Sequence, residues 1–224
     1  MRKFMVLPMA GLLALSIAAP VAAGPNVSNT SGGGTTIYGE WYGEGPDGNT
    51  YGYVSIGNEK NYGGFGEIYQ ETGQWVPCET SGGSPSKAAI VIADTTPGGE
   101  NYGFVGTRTW GYTNDVQVVI SRRLETGSAS GTVDLYTETV NDCEGIYEGA
   151  SESGVALTVS ATGVGDLATF RGTGSYKIPS QFNGHSNYRG SERQATGSVA
   201  AGSIGADFDS ANMSKFTWTE HVNS

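Results

Sequence analysis

Histidine, cysteine and charge are all scarce in this chain of 224 residues. It has two histidines, His185 and His221, two cysteines, Cys78 and Cys143, and 15% charged residues. So few histidines restrict metal–histidine and Ser-His-Asp chemistry to centres built around one of those two positions. The Walker, dinucleotide-binding and zinc-ligand spacings are absent, and so is the G-x-S-x-G turn of a serine hydrolase. Low charge combined with 37% hydrophobic residues excludes a disordered chain. Helical periodicity is missing as well. No window of helical length carries the 3.6-residue apolar repeat, and the nearest candidate, DSANMSK, amounts to a single turn. Beyond residue 23 no apolar run is long enough to span a membrane as a helix.

The one long apolar run lies at the start. MRK followed by FMVLPMAGLLALSIAAP and then VAA has the charged, apolar and small-residue regions of a secretory signal peptide, with cleavage expected after Ala23. A membrane anchor is the other reading, but the run is short for a span and no stop-transfer pattern follows. The expected location is therefore secreted or periplasmic. Cleavage removes Arg2 and Lys3 and no acid, which takes the net charge from −10 to −12. The charge is uneven: residues 24–152 carry 17 acids and 5 bases, whereas residues 153–224 carry 5 of each. An acidic chain repels phosphate backbones, so nucleic acid is excluded as a partner, and a soluble monomer is expected. In an oxidising compartment the two cysteines are expected to form a disulfide. In the chain-entropy picture a loop of that size adds about 4 kcal/mol.

What the chain does have is glycine, 36 of them, with 12 tyrosines and many threonines and serines. This composition favours strands and tight turns. Residues 24–35 read as a flexible leader. Strand-like runs follow: TIYGEWY (36–42), TYGYVSI (50–56), GGFGEIYQE (63–71), KAAIVIA (87–93), NYGFVGTRTWGY (101–112), VQVVISRR (116–123), GTVDLYTET (131–139), GVALTVSA (154–161), LATFRGTGSYKI (167–178), a polar run at 187–197, and MSKFTWTEHV (213–222). FVGTRTW at 104–110 matches FRGTGSY at 170–176 at an offset of 66, and GFGEIYQET matches GTVDLYTET at 67. The expected fold is an all-β antiparallel barrel or sandwich of about 11–12 strands, a single domain over 36–222. It is read as three tandem repeats of about 66 residues, at 36–101, 102–167 and 168–222.

No catalytic set assembles from the sequence. His185 lies in a polar segment with Arg189, Glu192 and Arg193, which suggests an anion or carboxylate site or, more plainly, an edge strand with a charged solvent face. Asp207, Asp209 and Asn212 have oxygen ligands at a spacing that suits calcium, but the segment lacks the EF-hand glycine and closing Glu and reads equally well as a turn. Glu138, Glu144 and Glu148 are candidates for a hydrolytic acid pair, among many acids. No metal and no cofactor is expected. Aromatic residues are the better lead, because Tyr and Trp on a rigid sheet present an apolar face and a polar tip to sugars or proteins. Trp41 and Trp75, near turns, are expected at the surface, and Trp110 and Tyr176 in the core. The functional expectation is a secreted, non-catalytic β-protein that binds a carbohydrate or an extracellular protein. The alternatives are an extracellular hydrolase using carboxylates or His185, and a structural envelope component. An outer-membrane barrel fits less well, because the strands are short and Gly-rich.

Overall fold

The computed structural model describes residues 27–45, 48–60, 62–78, 102–178 and 182–223. Every regular element among them is a β-strand: Val27–Gly45 (β1), Gly48–Glu59 (β2), Gly63–Pro77 (β3), Tyr102–Thr113 (β4), Val116–Ile120 (β5), Thr126–Asn141 (β6), Ile146–Gly163 (β7), Ala168–Ile178 (β8), Phe182–Ala201 (β9), Ile204–Asp207 (β10) and Ser210–Asn223 (β11). The expected signal peptide, residues 1–23, and the aliphatic run 87–93 lie outside the described residues.

All pairings are antiparallel and belong to one 11-stranded sheet. From β1 they pass through β2, β3, β4, β6, β7, β9 and β11 and return to β1, so the hydrogen-bonded path closes on itself. The other three strands extend members of this path. β5 follows β4 along the same partner, β6. β8 follows β7 along β9, and β10 precedes β11 along β9. Backbone bonds stitch the breaks, including Thr132 N–H to the Asp115 carbonyl and Phe208 N–H to the Gly197 carbonyl. Most strands pair with a neighbour in sequence, whereas β4 and β5, β7 and β8, and β10 and β11 follow one another along a shared partner.

Period-two patterning selects the inner face. In β7, Val155, Leu157, Val159 and Ala161 are buried, while Ala156, Thr158, Ser160 and Thr162 are exposed. The same alternation brings Ile37, Val54, Ile56, Ile68, Leu157, Ile204 and Met213 into one core. Each side chain of this kind stabilises by about 1.5–3 kcal/mol when fully buried. Outward positions on β6 and β7 are largely Ser and Thr, the reverse of the apolar band that a lipid-facing sheet presents. Leu124 has φ 55 and is fully buried in the turn before β6, where the Ser121 hydroxyl accepts the Glu125 and Thr126 N–H groups. Burying this side chain offsets a conformation that costs about 1–3 kcal/mol.

Several expectations change. Residues 27–35, read as a leader, form the first half of β1 because a long-range partner, β11, supplies their hydrogen bonds. DSANMSK opens β11 and forms no helical turn. The matched segments FVGTRTW and FRGTGSY are both strands, but the first, in β4, is paired on both sides, and the second, in β8, pairs with β9. The expected disulfide is present: Cys78, after β3, bonds Cys143 in the β6–β7 turn, with Cα atoms 5.1 Å apart.

Candidate functional site

The outward positions of β1, β2, β3, β4 and β6 form an aromatic strip. Since Val54, Ile68, Thr109 and Leu135 point inward, their sequence neighbours Tyr53, Tyr69, Trp110 and Tyr136 point outward. Register then places these four side by side. Tyr53 is opposite Tyr69, Tyr69 opposite Trp110, and Trp110 opposite Tyr136. The Tyr53 and Tyr69 rings stack with centroids 5.6 Å apart, and Trp110 meets Tyr136 edge-on at 4.6 Å. Tyr38, Tyr42 and Tyr51 extend the cluster at the β1–β2 end, with Tyr42 and Tyr51 5.4 Å apart.

Carboxylates flank the rings and hold their hydroxyls. The Tyr53 hydroxyl donates to Glu67 Oε1 and the Tyr69 hydroxyl to Glu71 Oε2, each at 2.7 Å. Glu40 accepts from both Tyr38 and Tyr42. Burial, reinforced by these bonds, raises the ionisation of Tyr53 and Tyr69 well above that of an ordinary phenol. Both phenols therefore stay neutral and remain hydrogen-bond donors at physiological pH. Arg108 lies 3.7 Å from Glu71 and packs over the Phe104 ring at 4.6 Å. The strip thus offers flat apolar rings beside carboxylate oxygens with spare lone pairs. This combination suits a ligand with both C–H faces and hydroxyls.

Comparison with known protein families, characterised proteins and solved structures finds no match.

The residues singled out from sequence do not converge. Trp41, expected at the surface, is 4% exposed and belongs to the core. Gly52 lies directly opposite and leaves the space that the indole fills, and Trp41 Nε1–H donates to Gln70 Oε1 at 3.3 Å. Trp75 is 51% exposed, as expected, and meets Phe104 edge-on. Trp110, assigned to the core, is 37% exposed because Thr109 and Gly111 take the inward positions of β4. Tyr176, also assigned to the core, is exposed, and its hydroxyl donates to Glu220. His185 and Arg189 share one face of β9, and alternation places Glu192 on the other. Arg193 pins two turns: its Nε and Nη2 donate to the Gly165 carbonyl at 3.1 and 2.9 Å, and Nη1 donates to the Arg123 carbonyl. Asp209 serves a turn, accepting the Tyr42 N–H at 2.7 Å. Glu138 faces Arg108 across the strip, whereas Glu144 and Glu148 lie at and just past the exposed β6–β7 turn.

Sequence reading missed Tyr53, Tyr69 and Tyr136 as site residues. For Tyr53 the signal was its spacing from Tyr51 in TYGYVSI, which puts both rings on one side of the strand, as the spacing of Tyr38 and Tyr42 does in TIYGEWY.

Proposed function

We propose that the protein is an exported, non-catalytic carbohydrate-binding protein whose closed strand path is an up-and-down barrel with the aromatic strip on its outer wall. The observation that carries this reading is the direct register of Tyr53, Tyr69, Trp110 and Tyr136. Four neighbouring strands at their usual spacing set these rings along about 14 Å, the reach of a short oligosaccharide. The flanking carboxylates accept hydroxyl donors and repel anions, so the preferred ligand at the strip is an uncharged glycan.

The test is titration with neutral oligosaccharides by calorimetry, after a screen on a glycan array. Trp110→Ala and Tyr69→Ala are each expected to weaken binding by about tenfold, the usual scale for a contact that carries binding energy. Tyr69→Phe, which keeps the ring, should have a smaller effect. Absence of any neutral glycan above background, or full retention of binding by both alanine variants, rejects the reading.

A further inference from the structure

Basic side chains are unevenly placed on this acidic molecule. Beyond the core the strands β8, β9, β11 and β1 run on as a four-stranded extension. The inward face, set by Ile37, Val199 and Met213, continues along it by alternation and becomes wholly polar. Arg171, Arg189, Thr217 and Gly33 make one row across the four strands. Thr173, Asn187, Thr219 and Ser31 make the next, and Ser175, His185, His221 and Asn29 the one after.

This face lines a groove of about 1000 Å3 that contains Lys60, Arg171, Arg189 and Lys215 and no acidic residue. A smaller cleft of about 260 Å3 shares Ser31, Asn187 and Thr219 with it and adds His185 and His221. The cleft also borders Glu220, whose carboxylate accepts from Tyr176 and Thr30. None of the four cations forms an ion pair among the described residues, where the ion pair found is Arg108–Glu71. Arg189 Nε donates to the Thr217 hydroxyl at 3.3 Å.

The placement costs stability. Arg171 and Arg189 are directly opposed on neighbouring strands, and like charges so placed repel. The chain carries a net −10, so carboxylates were in good supply to neutralise them, yet none lies in the groove. An anion relieves this repulsion. We infer that the groove is a binding site for an anionic oligosaccharide, a sugar chain bearing carboxylate or sulfate groups. The four cations take its charges, and Ser31, Thr173, Asn187, Thr217 and Thr219 take its hydroxyls. A nucleic acid fits less well. Tyr188, Phe216 and Trp218 border the groove, but alternation turns their rings to the opposite face of the sheet, over Gly172, Gly34 and Gly32 and away from the rows of cations, where a base would need them. The acidic body also repels a long phosphate backbone.

The experiment is calorimetric titration of the full chain with a polyuronate tetramer and a sulfated tetramer. A neutral tetramer and a single-stranded oligonucleotide serve as comparators, at low and at physiological salt. Binding of either acidic sugar, weakened by salt, is the expected result, and the tighter of the two identifies the charged group. Arg171→Gln and Arg189→Gln should each reduce that affinity by about tenfold or more, the scale of a lost charge-assisted hydrogen bond. Trp110→Ala should leave it unchanged, so failure at the strip and failure at the groove are distinguishable. Melting separates a lost ligand contact from a lost fold. Without ligand, Arg171→Gln is expected to melt no lower than the native chain, whereas an acidic tetramer raises the melting temperature of the native chain and not of this variant. The inference is overturned if neither acidic sugar binds, if both arginine variants bind normally, or if the oligonucleotide binds more tightly than the sugars.

Discussion

Glycine and aromatic side chains work as pairs in this protein. Trp41 lies over Gly52, Tyr188 over Gly172, Tyr176 over Gly184 and Phe170 over Gly190. Each glycine leaves a gap in the side-chain layer, and the ring opposite or beside it covers the exposed backbone. A Cβ added at Gly52 would stand 2.2 Å from two indole carbons of Trp41, whereas at Gly43 the nearest atom is 3.6 Å away. Gly52→Ala is therefore expected to destabilise the protein by about 2 kcal/mol through overpacking, and Gly43→Ala to be nearly neutral. Denaturant unfolding followed by tryptophan fluorescence compares the two. The strip tyrosines make a second prediction. Their ionisation is raised in the folded state, mainly by burial and then by the bonds to Glu67 and Glu71. The folded state thus holds protons that the unfolded chain releases at about the ordinary phenol value of 10.0. The resulting stability is complete below that pH and declines above it, as the pH climbs toward the folded-state values. Urea midpoints measured across the alkaline range should fall for the native chain and fall less for Tyr53→Phe/Tyr69→Phe.

Among the elements, those read most directly from sequence are the ones that carry their own period. GVALTVSA and GTVDLYTET alternate cleanly and became β7 and β6. The disulfide was legible from the expected oxidising compartment and from the pairing of two lone cysteines. The face that each side chain takes was less legible, because it depends on the partner strand. Trp41 goes inward because Gly52 is across from it, and nothing within TIYGEWY says so. The segment VSNTSGGGT has the composition of a linker, and only β11, far away in sequence, makes it a strand. The strip draws on strands whose residues are widely separated along the chain, so its continuity came from register alone. At this scale the disulfide has a measurable role. It ties the end of β3 to the β6–β7 turn across a sequence separation of 65 residues. Reduction, or Cys78→Ser with Cys143→Ser, is expected to lower stability by up to about 4 kcal/mol, read as a shift in the guanidinium midpoint with unchanged secondary structure by circular dichroism.

Taken whole, the molecule separates its charges. Carboxylates predominate in the first two thirds of the chain, and, among the described residues, cations without an ion pair gather in the groove along β8, β9, β11 and the start of β1. The lopsided charge visible in the sequence is thus a spatial division, although the segments 24–152 and 153–224 do not themselves say which side chains face inward. One more property follows from the way β1 and β11 meet, with Val27 beside Asn223. On the proposed export route the chain emerges from its front end, so its opening strand is ready first and must wait for its closing strand to arrive. Until then two strand borders stand bare, open to neighbouring chains and to chaperones. Removing residues 210–223 should hold the protein in that unfinished state, seen as aggregation on size-exclusion chromatography and loss of a cooperative melt. Assembly of the native chain should be slow for its size, since its last contact joins its most distant parts.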